Sequence, residues 1–115
     1  MDIQALTPTL SVAGQILASD IPAIAQAGFK SVICNRPDGE GADQPGFAEI
    51  AHAAQQAGLE VRYLPVETGK VTEAQGSAFG QLLDELPKPV FAYCRSGMRC
   101  TTLWRLSNAG GAGQS

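Results

Sequence analysis

Six consecutive residues, Cys94-Arg95-Ser96-Gly97-Met98-Arg99, place a soft nucleophile, a glycine and two guanidinium groups in one short stretch. Cysteine attacks as its thiolate, so the surroundings must favour the ionised form. The stretch follows an apolar run at residues 90–93 and precedes residues 101–107, where Leu103, Trp104 and Leu106 suit a helix. A strand, a tight loop and a helix start collect inward-facing backbone N–H groups and the positive end of the helix. Arg99 adds a planar, permanently charged fork suited to an anion. The pattern predicts Cys94 and Arg99 as the catalytic pair, with Arg95, Ser96, Gly97 and Met98 as the anion-binding loop. Cysteines in such settings ionise at roughly 3.5–7.5 rather than about 8.5.

Other reactive groups are few. Glu67 and Asp38 are the candidate proton donors, each on a loop, and Arg36 is near enough in sequence to pair with Asp38. His52, the single histidine, falls in a helical stretch. Cys34 and Cys100 could resolve an oxidised Cys94, but Cys100 is expected to point along the helix, and both suit a structural role. The cysteines are odd in number and contain no CxxC pair, which fits neither a disulfide framework nor a zinc knuckle. The expectation is no metal and no organic cofactor.

A chain of 115 residues with 44% hydrophobic content supports one core. Its net charge of -3 and scattered basic residues exclude a nucleic-acid or anionic-membrane surface, while Arg95, Arg99 and Arg105 suit a small anion. The N-terminus lacks a basic, apolar leader, and no run approaches a membrane span, so a reducing cytoplasm is the expected setting.

The elements alternate in period. Strands are predicted at 10–13, 30–35, 59–66 and 90–93, with helices at about 20–28, 47–57, 73–86 and 101–107. Ser19 or Asp20 is expected to cap the first helix, with Pro22 in its first turn, and Thr72 to cap the third. The fold class is α/β: a single domain at 1–108 with a mostly parallel four- to five-stranded sheet flanked by helices, then a flexible tail at 109–115. Loops leaving the strand ends after Asn35, Val66 and Tyr93 should share one rim.

Three segments carry a resemblance: Asn35-Arg36-Pro37-Asp38-Gly39-Glu40, Tyr63-Leu64-Pro65-Val66, and Tyr93 through Arg99. Together they resemble the bacterial β-lactamase-hydrolase-like, phosphatase-like domain family, whose cysteine loop is similar to those of rhodaneses and dual-specificity phosphatases. The resemblance implies a cysteine-phosphatase-like fold and a functional link to persulfide dioxygenase modules. It also puts Glu67 roughly where related phosphatases keep an acid.

Loop length divides the functional readings. Cysteine phosphatases use Cys-x5-Arg, whereas this chain has Cys-x4-Arg, preceded by Tyr93 and followed by Cys100. The shorter ring matches rhodanese-type enzymes and favours a sulfurtransferase. Cys94 would take sulfane sulfur from thiosulfate or a low-molecular-weight persulfide and pass it, as a Cys94 persulfide, to a thiol such as glutathione. The alternative is a phosphatase acting on a phosphate ester through a Cys94 phosphocysteine. A second alternative is an idle anion-binding module.

Overall fold

The continuous apolar run along residues 90–93 finds its reason in the computed structural model, which describes the backbone of residues 1–112 and the side chains of residues 1–107. Strand β5 (Val90–Tyr93) is the centre of a five-stranded sheet ordered β1-β2-β5-β3-β4. Here β1 is Ile3–Thr7, β2 is Leu10–Ala13, β3 is Ser31–Cys34 and β4 is Glu60–Tyr63. β2, β5, β3 and β4 run parallel, and β1 closes one edge as an antiparallel hairpin partner of β2.

Successive side chains of β5 face opposite layers, as the two-residue period of a strand requires. Val90, Ala92 and Cys94 pack with Phe79, Leu86, Cys100 and Leu103, whereas Phe91 and Tyr93 pack with Ile21, Ile24, Ile50 and Ala54. The first layer is covered by α3 (Glu73–Glu85) and α4 (Met98–Ala112), the second by α1 (Ile21–Gln26) and α2 (Phe47–Gln56). Strands buried on both faces read as continuous apolar runs, which is why 90–93 shows no polar alternation.

Local chemistry sets the helix starts. Thr72 caps α3 as expected: its Oγ1 accepts from the Gln75 N–H at 3.2 Å, and Gln75 Oε1 accepts from the Thr72 N–H at 2.9 Å. Pro22 lies in the first turn of α1, but neither Ser19 nor Asp20 caps it through a side chain; Asp20 Oδ2 accepts from Leu17 N–H at 2.8 Å across a short 3-10 turn, Ala18–Asp20. α3 and α4 approach closely at Gly76, where a Cβ would meet Leu106 Cβ at 2.5 Å.

Four boundaries differ from the sequence-based expectation. β1 was not anticipated, because its residues are largely exposed and carry no buried-strand pattern. β4 is shorter than 59–66, since the backbone after Tyr63 turns to follow β3: Val66 N–H donates to Asn35 O at 3.0 Å. α4 starts at Met98 rather than residue 101, inside the candidate loop. It also runs to Ala112 and so enters the expected tail; residues 113–115 lie outside the described residues.

Candidate active site

Cys94 follows the central strand, so the loops after its two neighbours, β2 and β3, converge on it. Cys94 N–H donates to Ala13 O at 3.2 Å, and Gln15 N–H donates to Arg95 O at 3.3 Å. The second contact requires glycine at position 14, where a Cβ would stand 2.9 Å from the Arg95 carbonyl oxygen. Gly97 turns the chain with φ +90°, a conformation that disfavours any side chain, and its N–H donates to Cys94 Sγ at 3.0 Å. Helix α4 then begins, with Thr101 N–H closing onto Gly97 O at 3.1 Å.

These contacts make Cys94 a thiolate at neutral pH, with its pKa lowered to about 5. The Cys100 thiol contributes most by donating to Cys94, burial opposes ionisation, and the backbone N–H groups of Cys100, Ser96 and Arg99 add to the stabilisation. Cys100 therefore faces the nucleophile instead of pointing along the helix, because the early start of α4 swings position 100 inward. Burial holds the Cys100 thiol protonated, well above its usual range, which keeps it a donor. Cys34 faces the opposite layer, where its S–H donates to Arg36 O at 3.3 Å.

The Arg99 side chain is 7% exposed and is held from two directions. Glu40 accepts from Nη1 at 2.7 Å and from Nη2 at 2.8 Å, and Val66 O accepts from Nη1 at 2.8 Å. These bonds use three of the five guanidinium N–H donors. Nε–H and the second Nη2–H have no partner among the described residues, and together they form the side edge of the fork.

Glu40 also accepts from Arg36 Nε at 3.1 Å, and Arg36 Nη1 donates to Gln15 Oε1 at 3.1 Å. Its carboxylate thus bridges two arginines, and Arg99 above all holds it ionised below the ordinary carboxylate range. The same contact raises the Arg99 pKa, so this charge is permanent. Arg36 does not pair with Asp38 as anticipated. Glu40 lies four residues along the chain and its carboxylate lies between the two guanidiniums.

The expected loops after Asn35, Val66 and Tyr93 do share one rim, but the two candidate acids lie apart from its polar centre. Asp38 Oδ1 accepts from Phe47 N–H at 2.8 Å and so serves the first turn of α2. Glu67 is exposed and pairs with Lys70 at 3.4 Å. His52 is on the exposed face of α2. Arg95, Ser96 and Met98 are exposed, while Gly97 is buried. Arg95, Ser96, Met98 and Arg99 line a cavity of about 570 Å³ with Thr68, Gly69, Val71 and Thr102.

Glu40, Gln15, Gly14 and the role of Cys100 were missed. Glu40 and Arg99 are 59 positions apart, so no local pattern links them; only the recurrence of Arg36 and Glu40 in one turn-rich segment hinted at a built loop. Among the described residues no group of three His, Cys, Asp or Glu side chains could hold a metal, and no helix is long and apolar enough to cross a membrane.

Residues 2–111 match the family described as β-lactamase hydrolase-like protein, phosphatase-like domain. A β-lactamase hydrolase-like protein of Agrobacterium fabrum is 43% identical over 100 residues, which cover 87% of this chain and 23% of that protein. The chain thus spans about a quarter of such relatives' length. A crystal structure of a candidate phosphatase from Neisseria meningitidis superposes with a TM-score of 0.85 at 40% identity, covering 90% of this chain and 74% of that one. Another, from Shewanella putrefaciens, gives 0.75 at 24% identity, covering 88% and 63%, and at that identity the likeness is one of fold. The fold is cysteine-phosphatase-like.

These relatives favour the phosphatase alternative over the sulfurtransferase. The sulfur donor, the glutathione acceptor and the persulfide dioxygenase link gain no support from them. Ring length is a poor guide here for a physical reason. Arg99 already stands on the first turn of α4, and its fork is placed by Glu40 and Val66 rather than by the number of residues between it and Cys94.

Proposed function

Because the chain belongs to the family of β-lactamase hydrolase-like, phosphatase-like domains, we propose that it is a cysteine-dependent phosphatase acting on phosphate esters. The observation that carries the reading is the paired state of Arg99. Its end edge is fastened to Glu40, and its remaining side edge offers two parallel N–H donors, the geometry that suits two oxygens of one phosphoryl group. Cys94, ionised at neutral pH, attacks phosphorus. The loop N–H groups and Arg99 take up charge on the phosphoryl oxygens, which is where phosphoryl transfer demands stabilisation. The Cys100 S–H that stabilises the thiolate also assists its departure when water attacks the phosphocysteine.

The test is direct. Wild type should hydrolyse para-nitrophenyl phosphate, show a trapped mass gain of one phosphoryl group on Cys94, and lose both in Cys94→Ser. A mass gain of one sulfur after incubation with thiosulfate or glutathione persulfide, with no phosphate ester turned over, would return the chain to sulfur transfer. Neither adduct, with tight oxyanion binding retained, would identify an idle anion-binding module.

A further inference from the structure

A phosphatase must deal with the negative charge that develops on the leaving group, and a positioned carboxylic acid commonly supplies a proton. Glu40 and the two candidate acids, Asp38 and Glu67, each have a partner of their own. Glu40 is held ionised between Arg36 and Arg99. Asp38 accepts the Phe47 N–H. Glu67 is paired with Lys70, and its side chain is 66% exposed.

The cavity beside the loop has a different character. Val71 and Met98 provide apolar wall, Thr68 and Thr102 are polar and uncharged, and Arg95 and Arg99 are its charged lining residues. Arg95 has no side-chain hydrogen bond or ion pair among the described residues, in contrast to Arg36, which donates to Glu40 and Gln15. A cation without a carboxylate partner, in a cavity that Arg99 also lines, stabilises an anion without protonating it.

Resting on the phosphatase reading, we infer that the substrate is a phosphoryl compound whose leaving group is stable as an anion: an acyl phosphate, a phosphoanhydride, or an ester of an acidic phenol or enol. Arg95 meets the departing charge in place of an acid. Cys94 thiolate forms the S–P bond as the P–O bond breaks, and the leaving group keeps the bonding pair and departs as its anion. Water then attacks phosphorus, the S–P pair returns to Cys94 as thiolate, and both water protons stay on dihydrogen phosphate. No redox partner and no protein proton enters the balance.

The experiment is a leaving-group series on the purified chain: acetyl phosphate, dinitrophenyl, para-nitrophenyl and phenyl phosphate, with kcat/KM measured for each. General-acid assistance is worth roughly 10²–10⁴-fold, and its lack should appear as a fall of that order from the most acidic to the most basic phenol. Glu67→Gln should leave the slope unchanged. Arg95→Gln should lower kcat/KM by about tenfold for dinitrophenyl phosphate and by more for phenyl phosphate, with Arg95→Lys recovering part of the loss. Arg95 is exposed, so these variants should fold, as thermal melts would verify. A flat series, or a slope that steepens in Glu67→Gln and not in Arg95→Gln, overturns the inference while leaving the phosphatase reading intact. No turnover even of dinitrophenyl phosphate and acetyl phosphate would instead remove the phosphatase reading itself.

Discussion

The rim around Cys94 has two halves built on opposite terms. On the inner half, Arg36 and Arg99, with side chains 9% and 7% exposed, share the Glu40 carboxylate, and Gln15 and Val66 O take further donors. On the outer half, Glu67 and Lys70 meet at 3.4 Å with 66% and 75% of their side chains exposed, and Arg95 and Met98 stand in solvent. Breaking the first arrangement strands buried charge. Breaking the second returns two ions to water, where exposed pairs contribute about 0–1 kcal/mol. The inner half therefore holds the Arg99 fork still, and the outer half is left free to move.

Glu40→Gln should expose this contrast most strongly. It leaves two buried guanidiniums short of a counter-charge, and we expect a loss of about 3 kcal/mol in denaturant unfolding, the low end for such a break because the Glu40 side chain is 25% exposed. Turnover at a temperature where the variant is folded should fall by about 10²–10³-fold. Wild-type-like stability would place the network among ordinary surface pairs.

Arg99→Lys separates charge from geometry. Lysine keeps the charge but cannot hold Glu40 end-on while presenting a second edge. We expect kcat to drop by about 10²-fold, with a smaller change in KM. Near-normal kcat in steady-state assays would remove the bidentate role.

The thiolate itself should be visible in stability. Cys94 titrates at about 5 in the folded chain and at about 8.5 when unfolded. Between these values the unfolded state binds the extra proton, so stability rises with pH by up to about 1.4 kcal/mol per unit. This contribution is fully present above about 8.5 and is lost as pH falls through about 5. Chemical denaturation across that window should show the slope in wild type and lack it in Cys94→Ser.

Asp38→Ala removes the acceptor for Phe47 N–H and should lower stability by about 1 kcal/mol, with activity toward acidic phenol esters little changed. The smallest effect belongs to Glu67→Gln, expected within about 0.5 kcal/mol by thermal unfolding. A larger shift there would mean the outer half is tied down in a way its exposure does not suggest.

Much of this was legible in the order of residues. The two-residue and 3.6-residue periods placed the four parallel strands and the four helices within a few positions, because each buries its own apolar pattern. The Thr72 cap was visible because the N–H it accepts lies only three residues along the chain; the reciprocal bond from Gln75 emerged with the structure. β1 was not legible, since its only stabilising partner is β2 and its side chains remain mostly in water. The loop length was legible but misleading, because counting residues from Cys94 to Arg99 ignores that α4 begins at Met98.

The sequence by itself determined the setting of the Cys94 thiolate. Strand, Cys94, Gly97 and helix are contiguous, and the N–H groups that stabilise the thiolate belong to the loop that contains it. Tertiary structure decided the fate of every charge around it. Parallel pairing of β5 with β3 brings Glu40 to Arg99, the turn after β4 presents Val66 O to the same guanidinium, and the crossing of α2 under the β3 loop claims Asp38. A charge pairs with whatever the fold places within about 4 Å, and that distance is set by strand order and helix packing rather than by separation along the chain.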